Sequence, residues 1–146
     1  MSAWKDAERE VAKLLGGVRR WRVSYAESVG DIIHPTLSIE VKWGKQVPAA
    51  FKVANPTLVG GLYFVTPFKC RFSQMVILRG VKKKSKFLEA CLKQASDYSP
   101  LKIPVVALKP RGYKGIILVS HYWDRGKLLQ ELRKRRVERR STLLFG

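Results

Sequence analysis

The chain has 146 residues, of which 46% are hydrophobic, so it can bury the core of one globular domain. Lys and Arg number 29 against 11 Asp and Glu, and the formal net charge of +18 is typical of proteins that bind nucleic acid. No apolar run approaches the length of about 18 residues that spans a membrane, and the first residues lack an apolar signal core, so a cytoplasmic protein without a membrane partner is expected.

The first predicted element is an amphipathic helix over residues 3–15. Apolar residues recur there at three- and four-residue spacing and form one face, which consists of Trp4, Ala7, Val11, Leu14 and Leu15. Gly16 and Gly17 end the helix. Alternating residues predict a strand over 19–24, which a polar turn over 27–30 follows.

Residues 37–43 form the clearest predicted strand. Leu37, Ile39, Val41 and Trp43 fall on one face, whereas Ser38, Glu40 and Lys42 fall on the other, because side chains alternate along a strand. The apolar face is expected to pack on the core. The polar face, opposite the core, is expected to carry the chemistry.

The later elements are predicted in chain order as a hairpin of residues 62–65 and 75–78, a helix over 85–98, a second hairpin of residues 103–108 and 115–120, and a final helix capped by Asp124. Cys70 and Cys91 lack the paired spacing of a zinc site and are predicted to be reduced thiols. The element order predicts an α/β fold in one domain, residues 1–146, with a mixed central β-sheet flanked by helices.

Acidic residues are rare in this chain, and two of them lie near one another in the sequence, at the predicted central strand. Asp31 ends the turn that leads into the central strand, and Glu40 follows nine residues later beside Lys42. Carboxylates hold the Mg²⁺ that phosphodiester hydrolysis needs, and an ammonium group can orient the attacking water. Helical phase adds Glu8, which borders the buried face, whereas Glu10 points more toward water.

These segments resemble the PD-(D/E)XK nucleases, and more closely the archaeal-type and viral Holliday junction resolvases. The resemblance covers most of the chain and rests on AEREVAKLL at 7–15, GD at 30–31 with SIEVK at 38–42, and KQA at 93–95 with IPVVALK at 103–109. Gly30 stands where the family name has proline, and the segment 44–84 is longer than in the compact archaeal enzymes. The resemblance implies a restriction-endonuclease-like core.

The resemblance also implies roles for individual residues. Glu8, Asp31 and Glu40 would hold Mg²⁺ or Mn²⁺, Lys42 would be the catalytic lysine, and Arg9 would contact DNA. Arg22 and Ser24 match an Arg and a Ser that precede the family's aspartate, although the turn lengths differ. A homodimer that nicks opposing strands of a four-way DNA junction would follow.

Two basic segments are predicted to contact DNA, namely residues 44–84 and the C-terminal helix and tail, 124–146. Their candidate contacts are Lys45, Lys82, Lys83, Lys84, Arg135 and Arg136. Aromatic residues in and beside the first segment could stack on unpaired bases, but a place in the core or in a dimer interface is favoured for them: Trp43, Phe51, Tyr63, Phe64, Phe68 and Phe72. Gln94 and His34 are candidates for positioning the side chains of the site without touching the substrate, although a structural role is favoured for His34.

Two alternatives stay open beside junction resolution. One is a different PD-(D/E)XK activity, such as a phage nickase or a restriction or repair enzyme. The other is a nucleic-acid-binding protein without catalysis, against which the grouping of acids beside Lys42 argues, because a binder of phosphate gains nothing from carboxylates.

Overall fold

The structure is a computed structural model that describes residues 3–19, 32–48, 51, 53, 55–67, 76–78 and 82–134. Helix α1 spans Ala3–Leu15, as its sequence period predicts. Gly16 follows with a φ of 79°, and its amide donates to the Ala12 carbonyl at 2.8 Å, so a left-handed glycine ends the helix.

The first four strands are three short ones and one long one. They are β1 (Val18–Arg19), β2 (Ile32–Ile33), β3 (Leu37–Gly44) and β4 (Thr57–Val59). Next come β5 (Tyr63–Pro67), β6 (Val76–Leu78), α2 (Lys82–Tyr98), β7 (Ile103–Pro110) and β8 (Ile117–His121). A 3₁₀ turn over Tyr122–Asp124 leads into helical residues 125–134, here termed α3.

Within the described ranges, eight strands form one mixed sheet in the order β1-β2-β3-β7-β8-β5-β4-β6. Strands β3 and β7 pair in parallel along their full length, from Leu37 opposite Ile103 to Gly44 opposite Pro110. Strand β8 returns antiparallel to β7, which confirms the predicted hairpin of these two strands. The predicted α/β class with a mixed, helix-flanked sheet is therefore confirmed.

Both faces of the sheet are covered. On one face, α1 and Leu128 of α3 pack against the apolar side chains of β3, with Ala107 and Leu118 beside them. On the other face, Leu88, Cys91 and Leu92 of α2 pack against β7, β8 and β5. The result is a three-layer arrangement in which the sheet separates α1 and α3 from α2.

One predicted pairing is wrong. Residues 62–65 and 75–78 were expected to form a hairpin, but β5 pairs antiparallel with β4, and β6 pairs in parallel with β4 on its other side. Gly60 and Gly61 have φ values of 60° and 74° and supply the turn between β4 and β5, which the run of apolar residues alone does not identify.

Candidate functional site

The central strand β3 carries the predicted polar residues on the face that α2 covers. The Ser38 hydroxyl donates to the Ala95 carbonyl of α2, and Glu40 and Lys42 follow on the same face. Glu40 is buried, with 4% of its surface exposed. The expectation of a polar face opposite the core is therefore wrong in one respect, because α2 forms a second core layer over it.

Glu40 and Lys42 form an ion pair inside this layer. The Lys42 Nζ lies 3.2 Å from Glu40 Oε1, with side-chain exposures of 20% for the lysine and 6% for the glutamate. Residues two apart on a strand project to the same side, which brings the two charged groups together. The ammonium is thus on the solvent side of the pair, and the carboxylate lies behind it.

Helix α2 holds Lys42 from the other side. Lys42 Nζ donates to Gln94 Oε1 at 3.3 Å, and Gln94 Nε2 donates to the Tyr98 hydroxyl at 3.0 Å. The supporting position predicted for Gln94 thus has a direct contact to Lys42. Tyr98 was missed from the sequence, although it follows Gln94 by four residues, the spacing at which two helical side chains meet.

The ion pair also contributes, after burial, to the shifted pKa of the Cys91 thiol. Burial raises the pKa of Cys91, the Lys42 ammonium opposes that increase, and the Glu40 carboxylate adds to it. Cys91 is a free, buried cysteine, as the sequence predicts. It therefore acts as a small apolar side chain of the α2 layer.

Glu8 belongs to the opposite layer. Its neighbours Ala7 and Val11 pack on the face of the sheet that carries Ile39, whereas Glu40 projects to the α2 face. Glu10 is exposed and pairs with Lys109 of β7 at 2.5 Å, in keeping with the predicted helical phase. The metal-binding role of Glu8 stays a prediction.

The predicted metal site of Asp31 and Glu40 includes one residue that lies outside the described ranges. Asp31 is not described, and within the described residues no group of three or more His, Cys, Asp or Glu side chains is placed to hold a metal ion. Glu40 supplies an oxygen ligand of the kind Mg²⁺ prefers. The described donor set fits a metal site in part, with Glu40 as its one carboxylate.

His34 has a structural role. Its Nε2 donates to the Leu15 carbonyl at the end of α1, at 2.9 Å, and its Nδ1 accepts the amides of Thr36 and Leu37, each at 3.1 Å. Burial lowers the pKa of His34, although the nearby Glu131 carboxylate opposes that effect. The neutral ring therefore ties α1 to the turn before β3.

The predicted DNA contacts are only partly within the described ranges. Arg9 is exposed and pairs with Asp6 at 3.3 Å on α1. Lys45 is exposed in the turn after β3, and residues 82–84 form the first turn of α2. Arg22, Ser24, Arg135 and Arg136 lie outside the described residues.

The predicted stacking aromatics divide in the same way. Phe51, Tyr63 and Phe64 are buried in the core, and Trp43 packs partly buried against the α1 layer. Phe68 and Phe72 lie outside the described residues. The aromatic ring exposed most clearly in the described part is that of Trp123, which sequence reasoning did not single out.

Comparisons with protein-family models, curated proteins and solved structures gave no significant match. No helix in the described ranges is both long enough and apolar enough to cross a membrane.

Proposed function

We propose that this protein is a metal-dependent DNA endonuclease of the PD-(D/E)XK type. The observation that carries the proposal is the Glu40–Lys42 pair on the central strand, with Lys42 fixed by Gln94. The (D/E)XK part of the motif has an acidic residue two positions before a lysine, which is the spacing of Glu40 and Lys42. The net charge of +18 supplies the attraction for a polyanionic substrate.

The register of the neighbouring strand supports the inclusion of Asp31. Ile32 is directly opposite Ile39, and Asp31 and Glu40 are their immediate neighbours along the chain. Asp31 lies outside the described residues, and its inclusion rests on its place in the sequence, one residue before Ile32. Asp31 is therefore the second carboxylate that we assign to the metal.

The proposed chemistry is hydrolysis of a phosphodiester bond, in which water adds to phosphorus and one ester oxygen leaves. A bound Mg²⁺ or Mn²⁺ would supply charge neutralisation and a lowered pKa for the attacking water. Glu40 and Asp31 would hold the metal. Lys42 would place a positive charge beside the phosphate, where negative charge grows in the transition state.

The substrate we propose is a four-way DNA junction, cut by a homodimer in paired nicks. The support for this finer assignment is the resemblance of residues 7–15, 38–42 and 93–109 to junction resolvases. A nickase, restriction or repair activity of the same superfamily is the closest alternative. A preference for junctions over linear duplex separates the two.

A second candidate is a nucleic-acid-binding protein without catalysis. The burial of Glu40 favours it, because a carboxylate with 6% of its side chain exposed and paired to a lysine resembles a structural ion pair. Under this candidate the Lys42 contact stabilises the packing of α2 on the sheet. DNA binding then depends on the surface cations alone.

The test is cleavage of a labelled four-way junction, a matched linear duplex and a single strand, each with Mg²⁺ or with EDTA. The enzyme proposal expects metal-dependent nicking that Glu40→Gln abolishes while binding persists. Glu10→Gln is the matched control, because it makes the same chemical change at another Glu–Lys pair, 2.5 Å from Lys109. Asp31→Asn should behave like Glu40→Gln.

The outcomes separate the candidates. Symmetric nicks in the junction alone support resolution, whereas equal cutting of the linear duplex supports another nuclease of the superfamily. Binding without cleavage in Mg²⁺ and in Mn²⁺ refutes both enzyme candidates and leaves the binder. Cutting that Glu40→Gln leaves intact would refute the assignment of the site.

A further inference from the structure

An exposed aromatic platform lies where β8 leaves the sheet. The Trp123 side chain is 64% exposed. One face of its indole stacks on the His121 imidazole, with ring centroids 4.5 Å apart and an interplanar angle of 6°. The structure thus combines a largely exposed indole with a stacking partner on one of its faces.

The platform is fixed by its surroundings. His121 is the last residue of β8 and pairs with Tyr63 of β5. The amide of Tyr122 donates to the Leu62 carbonyl at 2.7 Å, which ties the 3₁₀ turn to the β4–β5 hairpin. A ring held by strand pairing and backbone hydrogen bonds loses little conformational entropy when a ligand stacks on it.

A cation flanks the platform and is itself held in place. The Arg125 guanidinium lies 3.7 Å from the centre of the Tyr122 ring and donates to the Tyr122 carbonyl at 2.7 Å. Lys127 follows on the exposed side of α3, and Asp124 is the nearest acid along the chain. Aromatic surface beside positive charge suits a base and its phosphate together.

The stacked rings carry no charge of their own near neutral pH. Burial lowers the pKa of His121, against the opposing effect of the Asp124 carboxylate. The His121–Trp123 stack is then a neutral apolar surface. Charge recognition falls to Arg125 and to the basic surface of the chain.

We infer that Trp123, backed by His121 and flanked by Arg125, is a stacking site for an unpaired nucleobase of single-stranded nucleic acid. The inference rests on the nucleic-acid binding within the proposed function and is independent of its catalysis. By strand register, His121 lies two strands and two residues from Glu40, a separation of roughly 12 Å. The platform is thus distinct from the Glu40–Lys42 pair.

The experiment is an affinity titration in EDTA with fluorescently labelled single strands of about 15 nucleotides, thymidine and uridine homopolymers in parallel. Trp123→Ala should weaken binding roughly 5- to 150-fold, the effect of losing one stacked base. Trp123→Phe retains a ring and should retain most of the affinity. Leu101→Ala is the matched control, since Leu101 is a fully exposed apolar residue on a different loop.

Salt dependence separates stacking from phosphate contact. Trp123→Ala should leave the slope of log affinity against log salt unchanged, because the indole neutralises no phosphate. Arg125→Gln should reduce that slope by about 0.7, the value for one phosphate contact on a single strand. A loss of affinity for either the thymidine or the uridine homopolymer supports the site. Thermal unfolding checks that the variants remain folded.

Three results would overturn the inference. The first is a Trp123→Ala affinity equal to that of Leu101→Ala. The second is an equal loss for a blunt duplex, whose bases are already stacked. The third is a Trp123→Leu variant that binds as well as Trp123→Phe, which would show that the affinity does not come from ring stacking. Any of these results leaves metal-dependent nicking as a separate question, and absent nicking leaves the affinity test intact.

Discussion

Replacement of Lys42 by methionine removes the ammonium of the buried ion pair and keeps most of the side-chain volume. The two charged atoms are 3.2 Å apart, which corresponds to about 5 kcal/mol of attraction at an effective dielectric constant of 20. That gross attraction is offset by the cost of desolvating both groups. The measured effect of the substitution therefore depends mainly on what happens to the buried partner.

Glu40 keeps its burial in this variant but loses its nearest cation. Removal of one partner of a buried pair typically costs 3–5 kcal/mol, and the partial exposure of Lys42 favours about 3 kcal/mol. A domain of this size then loses about 6–12 °C in melting temperature. Glu40→Gln leaves a lysine that reaches water and keeps its bond to Gln94, so its cost is about 1 kcal/mol.

The double variant carries no buried charge at either position and should be nearly as stable as Glu40→Gln alone. Urea unfolding of the wild type, the two single variants and the double variant should therefore give a coupling energy of about 2 kcal/mol or more. Additivity within about 0.5 kcal/mol would refute the reasoning, since it would mean that the two groups do not interact in the folded protein.

Three further predictions concern other parts of the fold. Gly17→Ala should destabilise the folded protein by about 1–3 kcal/mol, because the new Cβ would lie 2.8 Å from the Ile33 carbonyl oxygen. Gly126→Ala is the control and should not destabilise the protein, because its Cβ would meet open space. Thermal unfolding compares the two variants. His34 has a lowered pKa, so its contribution to stability is present above its unfolded value of 6.5 and is lost as pH falls through the folded pKa. Urea unfolding from about pH 7.5 to 5.5 should show that loss, and His34→Gln should reduce it to the part that His121, whose pKa is also lowered, contributes. Cys91, buried with a raised pKa, should react with iodoacetamide far more slowly in the native than in the unfolded protein, and equal rates would contradict its burial.

Local periodicity carried much of the fold prediction. The apolar spacing around Ala7 and Val11 identified α1 with its bounds, and the alternation from Leu37 to Trp43 identified the two faces of β3. Both signals come from side chains within one element, so no knowledge of distant packing is needed. The same alternation placed Glu40 and Lys42 together.

Contacts between distant elements were beyond such reasoning. The alternation along β3 shows that Glu40 and Ile39 lie on opposite faces of the strand. It does not show that α2 covers Glu40, because α2 contacts this face through residues such as Gln94, 52 positions after Lys42. The parallel pairing of β6 with β4 is equally non-local. Trp123 was missed for a related reason, since its exposure depends on how the turn after β8 meets the β4–β5 hairpin.

The order of the two charges relative to solvent links the ion pair to the proposed function. A phosphate that approaches from water would meet the partly exposed Lys42 ammonium before the buried Glu40 carboxylate. Under the proposed function, a metal ion bound at Glu40 Oε1 would compete with the Lys42 ammonium for that oxygen. The proposed function therefore assigns different roles to the two residues, phosphate binding to Lys42 and metal binding to Glu40. Lys42→Met should weaken both, whereas Glu40→Gln should weaken cutting alone.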